Sequence, residues 1–189
     1  EIHLGGMPIA LSYLEADSKR IVYLFPIALV VMMFVLYWAF RSFQGMALPL
    51  LTALVSVVWA LGLMGFFRIA MDPFNTMTPI LIMAIAAGHA VQILKRYYEE
   101  LAAGRDNRRA VVEATAKMAP VMITAGLVAA ASFASLVMFH LKTFQAFGVL
   151  TAFGIISALI LELTFIPALR SLIPAPAVVG ARRDGLDRM

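Results

Sequence analysis

The sequence predicts an all-α integral membrane protein: a bundle of five transmembrane helices plus a short cytoplasmic amphipathic helix. Three observations predict it. Hydrophobic residues make up 62% of the chain and charged residues 14%, where a soluble domain carries roughly 45–50% and 25%. Mean hydropathy is +0.91, more apolar surface than a soluble core can use and what a bilayer accepts facing outward. The apolar residues also fall into five runs of about 18 to 26 residues, enough to cross roughly 30 Å of hydrocarbon at about 1.5 Å per residue.

Taken in order, Glu1 to Arg20 is mixed and polar, with Gly5, Gly6 and Pro8 interrupting regular structure. The first span is Ile21 to Phe40, stopped by Arg41. The break from Arg41 to Gly45 leads into a second span, Met46 to Phe67. Arg68 to Thr76, with Asp72, Pro73 and Asn75, reads as a turn. The third span, Met77 to Leu94, ends in Lys95-Arg96-Tyr97-Tyr98, with the tyrosines where an interfacial aromatic pair belongs. Lys95 to Lys117 is the longest polar stretch. Within it, Asn107 to Lys117 has helical spacing, with Ala110, Val111 and Ala114 on one face and Asp106 or Asn107 as cap. It is expected to lie on the cytoplasmic membrane surface. The fourth span is Met118 to Phe139; His140 to Thr143 connects it to the fifth, Phe144 to Leu169. From Arg170 onward the proline-bearing, charged sequence reads as a cytoplasmic linker or tail. Pro26, Pro79, Pro120 and Pro167 lie near span ends, and Pro79 and Pro120 suit a first helical turn, where no N–H is missed.

Charge sets the expected orientation. Of the 15 Lys and Arg, Lys19, Arg20, Arg68 and Lys142 fall on one side, and the rest, in the Lys95–Lys117 stretch, the tail and Arg41, on the other. The positive-inside rule places the second group in the cytoplasm and the N-terminal segment outside. The net charge of +4 and pI near 9.7 therefore reflect topology, and no nucleic-acid partner is expected. With no Cys, disulfides and thiolate chemistry are excluded. The chain opens on Glu1 without a signal peptide, so it reads as part of a longer one.

No enzymatic pattern is present: no P-loop, no paired His ligands, no Ser-His-Asp arrangement. No enzyme activity, cofactor or metal is expected. The polar residues inside spans are the candidates. His89 lies about 12 residues into the third span, ~17 Å deep. Two readings of it are open: a proton-relay or ligand-contacting residue, since imidazole titrates near neutrality, or a neutral ring hydrogen-bonded to a neighbouring helix. Gln92, three residues on, could share its polar track. Glu162 is the only acid within a span; counted along the fifth span it sits ~27 Å from the outer end, near the cytoplasmic surface. It either reaches the interface or pairs across the bundle. Small residues cluster on spans three to five (among them Gly88, Gly126, Gly148 and Gly154) and allow close helix approach.

Three blocks carry a resemblance: FRSFQGMALPLLTALVSVVWALGLMGF, GHAVQILKRYYEEL and FGVLTAFGIISALILELTFIPAL. Together they resemble the resistance–nodulation–division (RND) superfamily of exporters, in the branch related to the mycobacterial large membrane proteins (MMPL) and to sterol-sensing domains. The resemblance implies one half's last five helices, with residues 1–20 as the exit from an extracytoplasmic domain. It further implies a multi-pass protein of the inner (plasma) membrane, exporting a hydrophobic or lipid-like substrate, proton-coupled. Its partners would be membrane lipids, that substrate and a second transmembrane half. Many proton-driven members carry an Asp-Tyr pair in the corresponding helix, and here Gly88 and His89 stand in its place. His89 would then carry the proton, or the other half would, or the drive differs. Two alternatives stay open: a non-pumping lipid- or sterol-binding domain, and an accessory subunit of protein export.

Overall fold

In hydrocarbon every backbone N–H and C=O must be satisfied within its own segment, so five long apolar runs in one chain have to become helices. The computed structural model describes residues 7–69, 72 and 74–174, with side chains from Tyr23 onward. Five long helices follow in order: α1 (Met7–Phe40), α2 (Phe43–Phe66), α3 (Thr78–Ala102), α4 (Asn107–Ala134) and α5 (Lys142–Leu172). Single 3₁₀ turns, Asn75–Met77 and Ser135–Met138, precede α3 and follow α4. Among the described residues there is no strand, and all five helices are long and apolar enough to cross a membrane. The expectations for Gly5 and Gly6, for Pro73 and for the tail beyond Pro174 lie outside the described residues.

Local chemistry explains the ends. Ser42 caps α2 by accepting a bond from the Gly45 N–H at 3.0 Å. The Asp72 carboxylate accepts from the Phe74 and Asn75 N–H groups, and the Thr76 hydroxyl donates to the Asp72 carbonyl, folding the turn into α3. Pro79 sits in the first turn of α3, as its missing N–H favours. Asp106 caps α4, and Gly104, at φ 88, supplies the left-handed residue that the preceding turn requires.

Four boundaries differ from those read off the sequence. α1 begins at Met7, so helix runs through Pro8 and well ahead of Ile21. α3 continues two turns past Leu94, because Arg96 bridges Glu99 and Glu100 at i+3 and i+4 and the charges brace the extension. The segment Asn107–Lys117 is helical as expected but is neither short nor separate: it is the opening of α4, which passes through Pro120 unbroken. Its apolar face does not lie on a membrane surface. Ala110, Val111 and Ala114 pack against Tyr97 and Leu101 of α3, so the polar stretch is a helical hairpin with a four-residue turn. At the other end α5 includes Arg170 and runs to Leu172.

The helices pack through two apolar clusters. One joins Ala53, Val57 and Ala60 of α2 to Ile82, Met83 and Ala86 of α3 and Ala158 of α5. The other joins Leu48, Ala90, Ile93, Leu94, Met122, Leu159 and Ile166. The alanines let backbones approach closely, which is how membrane helices gain packing energy without a hydrophobic drive between them. α1 and α4 are peripheral, and their large side chains, such as Phe34, Trp38 and Val128, face outward.

Candidate functional site

α3 and α5 are parallel neighbours, since α4 returns the chain between them. Two polar links join them: His89 to Glu162 and Tyr97 to Arg170. Both span 73 residues, so the helices hold one register over about 12 Å of rise.

The first link is the candidate site. His89 Nδ1 lies 3.5 Å from Glu162 Oε2, with side-chain exposures of 11% and 0%. Neither carboxylate oxygen nor Nδ1 has a hydrogen-bond partner among the described residues. One apolar cluster packs at Ala86 and Ala158, a turn to one side; the other packs at Ile93 and Ile166, a turn to the other. Glu162 is therefore at the level of His89 within the bundle and pairs across it, one of the two readings the sequence left open. Charges so placed are costly unless paired or able to shed charge. With one shared proton the pair is neutral overall whether ionic or not, and a second proton makes it cationic. That is the minimal equipment for moving a proton within a membrane.

Gln92 does not join them: it is exposed, on another face of α3. Gly88 is exposed too, with open space where a side chain would stand.

The second link is a site that sequence reasoning passed over. Arg170, counted with the tail, is 1% exposed. Its guanidinium donates to Gln44 Oε1 and to the Tyr97 hydroxyl, both at 2.7 Å, and stacks 4.5 Å above the Tyr97 ring. The Tyr97 hydroxyl donates to Asn107 Oδ1 at 2.6 Å, and Asn107 Nδ2 donates to the Arg170 and Ile173 carbonyls. Tyr97 is thus a buried link among α3, α4 and α5, not an interfacial anchor. Its partner Tyr98 packs beside it and shares a hydrogen bond with Ser42. Nearby, Glu100 receives Arg96, Arg105 and Lys117 at 2.7 to 2.8 Å, fastening the α3–α4 hairpin. The only local signal for these groups was an excess of Arg and Tyr next to a span end.

Residues 1–188 match the MMPL family. A protein of Mycobacterium tuberculosis named sulfolipid-1 exporter MmpL8 is 26% identical over 90% of the chain, which covers 16% of that protein. The M. tuberculosis protein named "Probable transport protein MmpL12" is 26% identical over the whole chain, which covers 17% of it. MJ1562 of Methanocaldococcus jannaschii, named as a membrane protein, is 26% identical over 76% of the chain, covering 37% of that relative. The chain thus spans well under half the length of these relatives.

Proposed function

The chain belongs to the MMPL family, and on that premise we propose that it is transmembrane machinery of an RND-type exporter that moves a hydrophobic or lipid-like substrate outward, driven by proton entry through His89 and Glu162. The observation that carries this reading is the buried pair itself. Two titratable side chains meet at 3.5 Å, without hydrogen-bond partners; His89 stands where the family resemblance leads one to expect a tyrosine, and Glu162 reaches it from α5. A pair kept only for packing would be expected to have its donors and acceptors satisfied.

In this reading the N-terminus faces outward and the hairpin between α3 and α4 faces the cytoplasm of the inner membrane. A second transmembrane half covers the exposed strip of α3 formed by Ala84, Gly88 and Gln92; a polar amide and a missing side chain suit a helix interface better than lipid. The relative named for sulfolipid-1 export supports the lipid-like substrate class.

The test is transport by the protein in proteoliposomes with an imposed pH gradient. His89→Gln and Glu162→Gln are each expected to abolish gradient-driven export of a lipid substrate while leaving lipid binding in place. Gradient-dependent export that survives both substitutions would remove the pair from the mechanism. The vacant Gly88 position favours a second reading, a lipid-binding domain that does not pump. It predicts lipid binding that is indifferent to the gradient in the unsubstituted protein.

A further inference from the structure

The α3–α5 seam carries more unpartnered polar atoms than the pair. The hydroxyls of Thr78 and Thr151 are buried, at 3% and 0% exposure, and neither has a hydrogen-bond partner among the described residues. A threonine in a helix ordinarily bonds back to a carbonyl one turn earlier, as buried Thr52, half-buried Thr115 and exposed Thr124 and Thr164 all do here. Thr78 precedes His89 by eleven residues and Thr151 precedes Glu162 by eleven. Eleven residues are about three turns, so each hydroxyl lies on the same helix face as the titratable group, about 16 Å away along the axis. The spacing between the two threonines also repeats the 73-residue separation of the polar links. Two orphaned hydroxyls therefore sit at one level of one seam, toward the end of the bundle where α3 begins.

Between the two levels the seam is apolar. Ile82, Met83, Ala86, Ile155 and Ala158 are all fully buried. Its tightest point is Ile82, whose side-chain tip occupies the space a Cβ would take on Gly154. Beyond the pair, toward the other end, Ile93, Leu94 and Ile166 border a small cavity that Tyr97 and Arg170 also line, and past it lies the Arg170–Tyr97–Asn107 network. The remaining charges on the neighbouring helices are distant: α2 carries none, and those of α4 lie within its first three turns.

We propose that water, and with it the proton, reaches the His89–Glu162 pair from the end of the bundle where α3 begins, past Thr78 and Thr151, and that Ile82 seated against Gly154 is the gate. This rests on reading the pair as a proton relay. The hydroxyls are the station where water waits, and a rotation of the Ile82 side chain out of the Gly154 notch joins that station to the pair.

The native chain contains no Cys, so single cysteines report aqueous access cleanly. The experiment places Thr151→Cys before the gate and Ala158→Cys behind it, one turn short of Glu162. The protein is reconstituted in nanodiscs, and the rate of reaction with 2-aminoethyl methanethiosulfonate is followed by mass. Thr151→Cys is expected to react faster than Ala158→Cys. Adding Ile82→Ala is expected to speed Ala158→Cys by about tenfold, as when an opening barrier falls by about 1.4 kcal/mol. Adding Ile166→Ala on the other side is expected to change nothing. No acceleration by Ile82→Ala, or equal acceleration by Ile166→Ala, overturns the proposal. Ile82→Val serves as a milder variant if Ile82→Ala does not fold, and it should accelerate in the same direction. Labelling does not depend on transport. Failure here removes the route and leaves the pair's role to the gradient assay; success here with gradient-independent export removes the coupling and keeps the route.

Discussion

At the scale of single residues, Glu162 and Arg170 are both buried charges two turns apart on α5, and their surroundings assign them opposite work. Arg170 is held by Gln44 and Tyr97 and stacked on an aromatic ring. Removing it strands both partners, so Arg170→Ala is expected to cost about 3 kcal/mol or more. Arg170→Lys should recover little of that, because a compact ammonium reproduces neither the rigid planar fork to Gln44 and Tyr97 nor the stacking on the Tyr97 ring. Glu162 has no hydrogen bond to lose. Glu162→Gln keeps the shape and removes a costly charge, so its melting temperature in detergent is expected to match or exceed the parent's. A Glu162→Gln protein melting below Arg170→Ala would make the pair a structural element. Neither assignment could be read from local sequence. Each depends on a partner 73 residues away, and no short pattern encodes it. His89 itself was legible, because an imidazole in the middle of an apolar run stands out against its neighbours.

At the scale of elements, the spans were legible because a hydrocarbon slab imposes a length on apolar runs that nothing in a soluble fold imposes. Their ends were not. Charged residues at Lys95–Glu100 and Asn107–Lys117 look like solvated loop, yet they pair with one another and extend two helices into a hairpin. The hairpin gives one prediction: Glu100→Gln leaves three cations facing each other and should lower the melting temperature, with added salt narrowing the difference through screening. The α3–α5 seam gives another. A methyl on Gly154 collides with the Ile82 tip, so Gly154→Ala is expected to destabilise the bundle by about 1–3 kcal/mol, as overpacking does. Combining it with Ile82→Val should recover part of the loss. Strict additivity of the two in thermal melts would mean that they are not in contact.

At the scale of the whole molecule, the five helices make an odd-numbered bundle whose ends must face opposite sides of the membrane. Lys142 opens α5 at one end, and the turn after Ala102 closes the α3–α4 hairpin at the other. The hairpin collects Lys95, Arg96, Arg105, Arg108, Arg109 and Lys117, whereas the Lys142 side carries Lys19, Arg20, Arg68 and Lys142. Moving that hairpin across a bilayer would carry a dense cluster of cations with it, so it should remain where it was made, in the cytoplasm. A membrane-impermeant maleimide is therefore expected to label Lys142→Cys in intact cells and to label Ala103→Cys only after permeabilisation. The result bears on mechanism as well as topology. The Thr78–Thr151 level of the seam is on the Lys142 side of the His89–Glu162 pair, so this orientation points the water route outward, and a proton entering there moves down the gradient that would drive export. The reverse labelling pattern would turn the route toward the cytoplasm, where the same gate could release protons but could not admit the ones that would drive the proposed export.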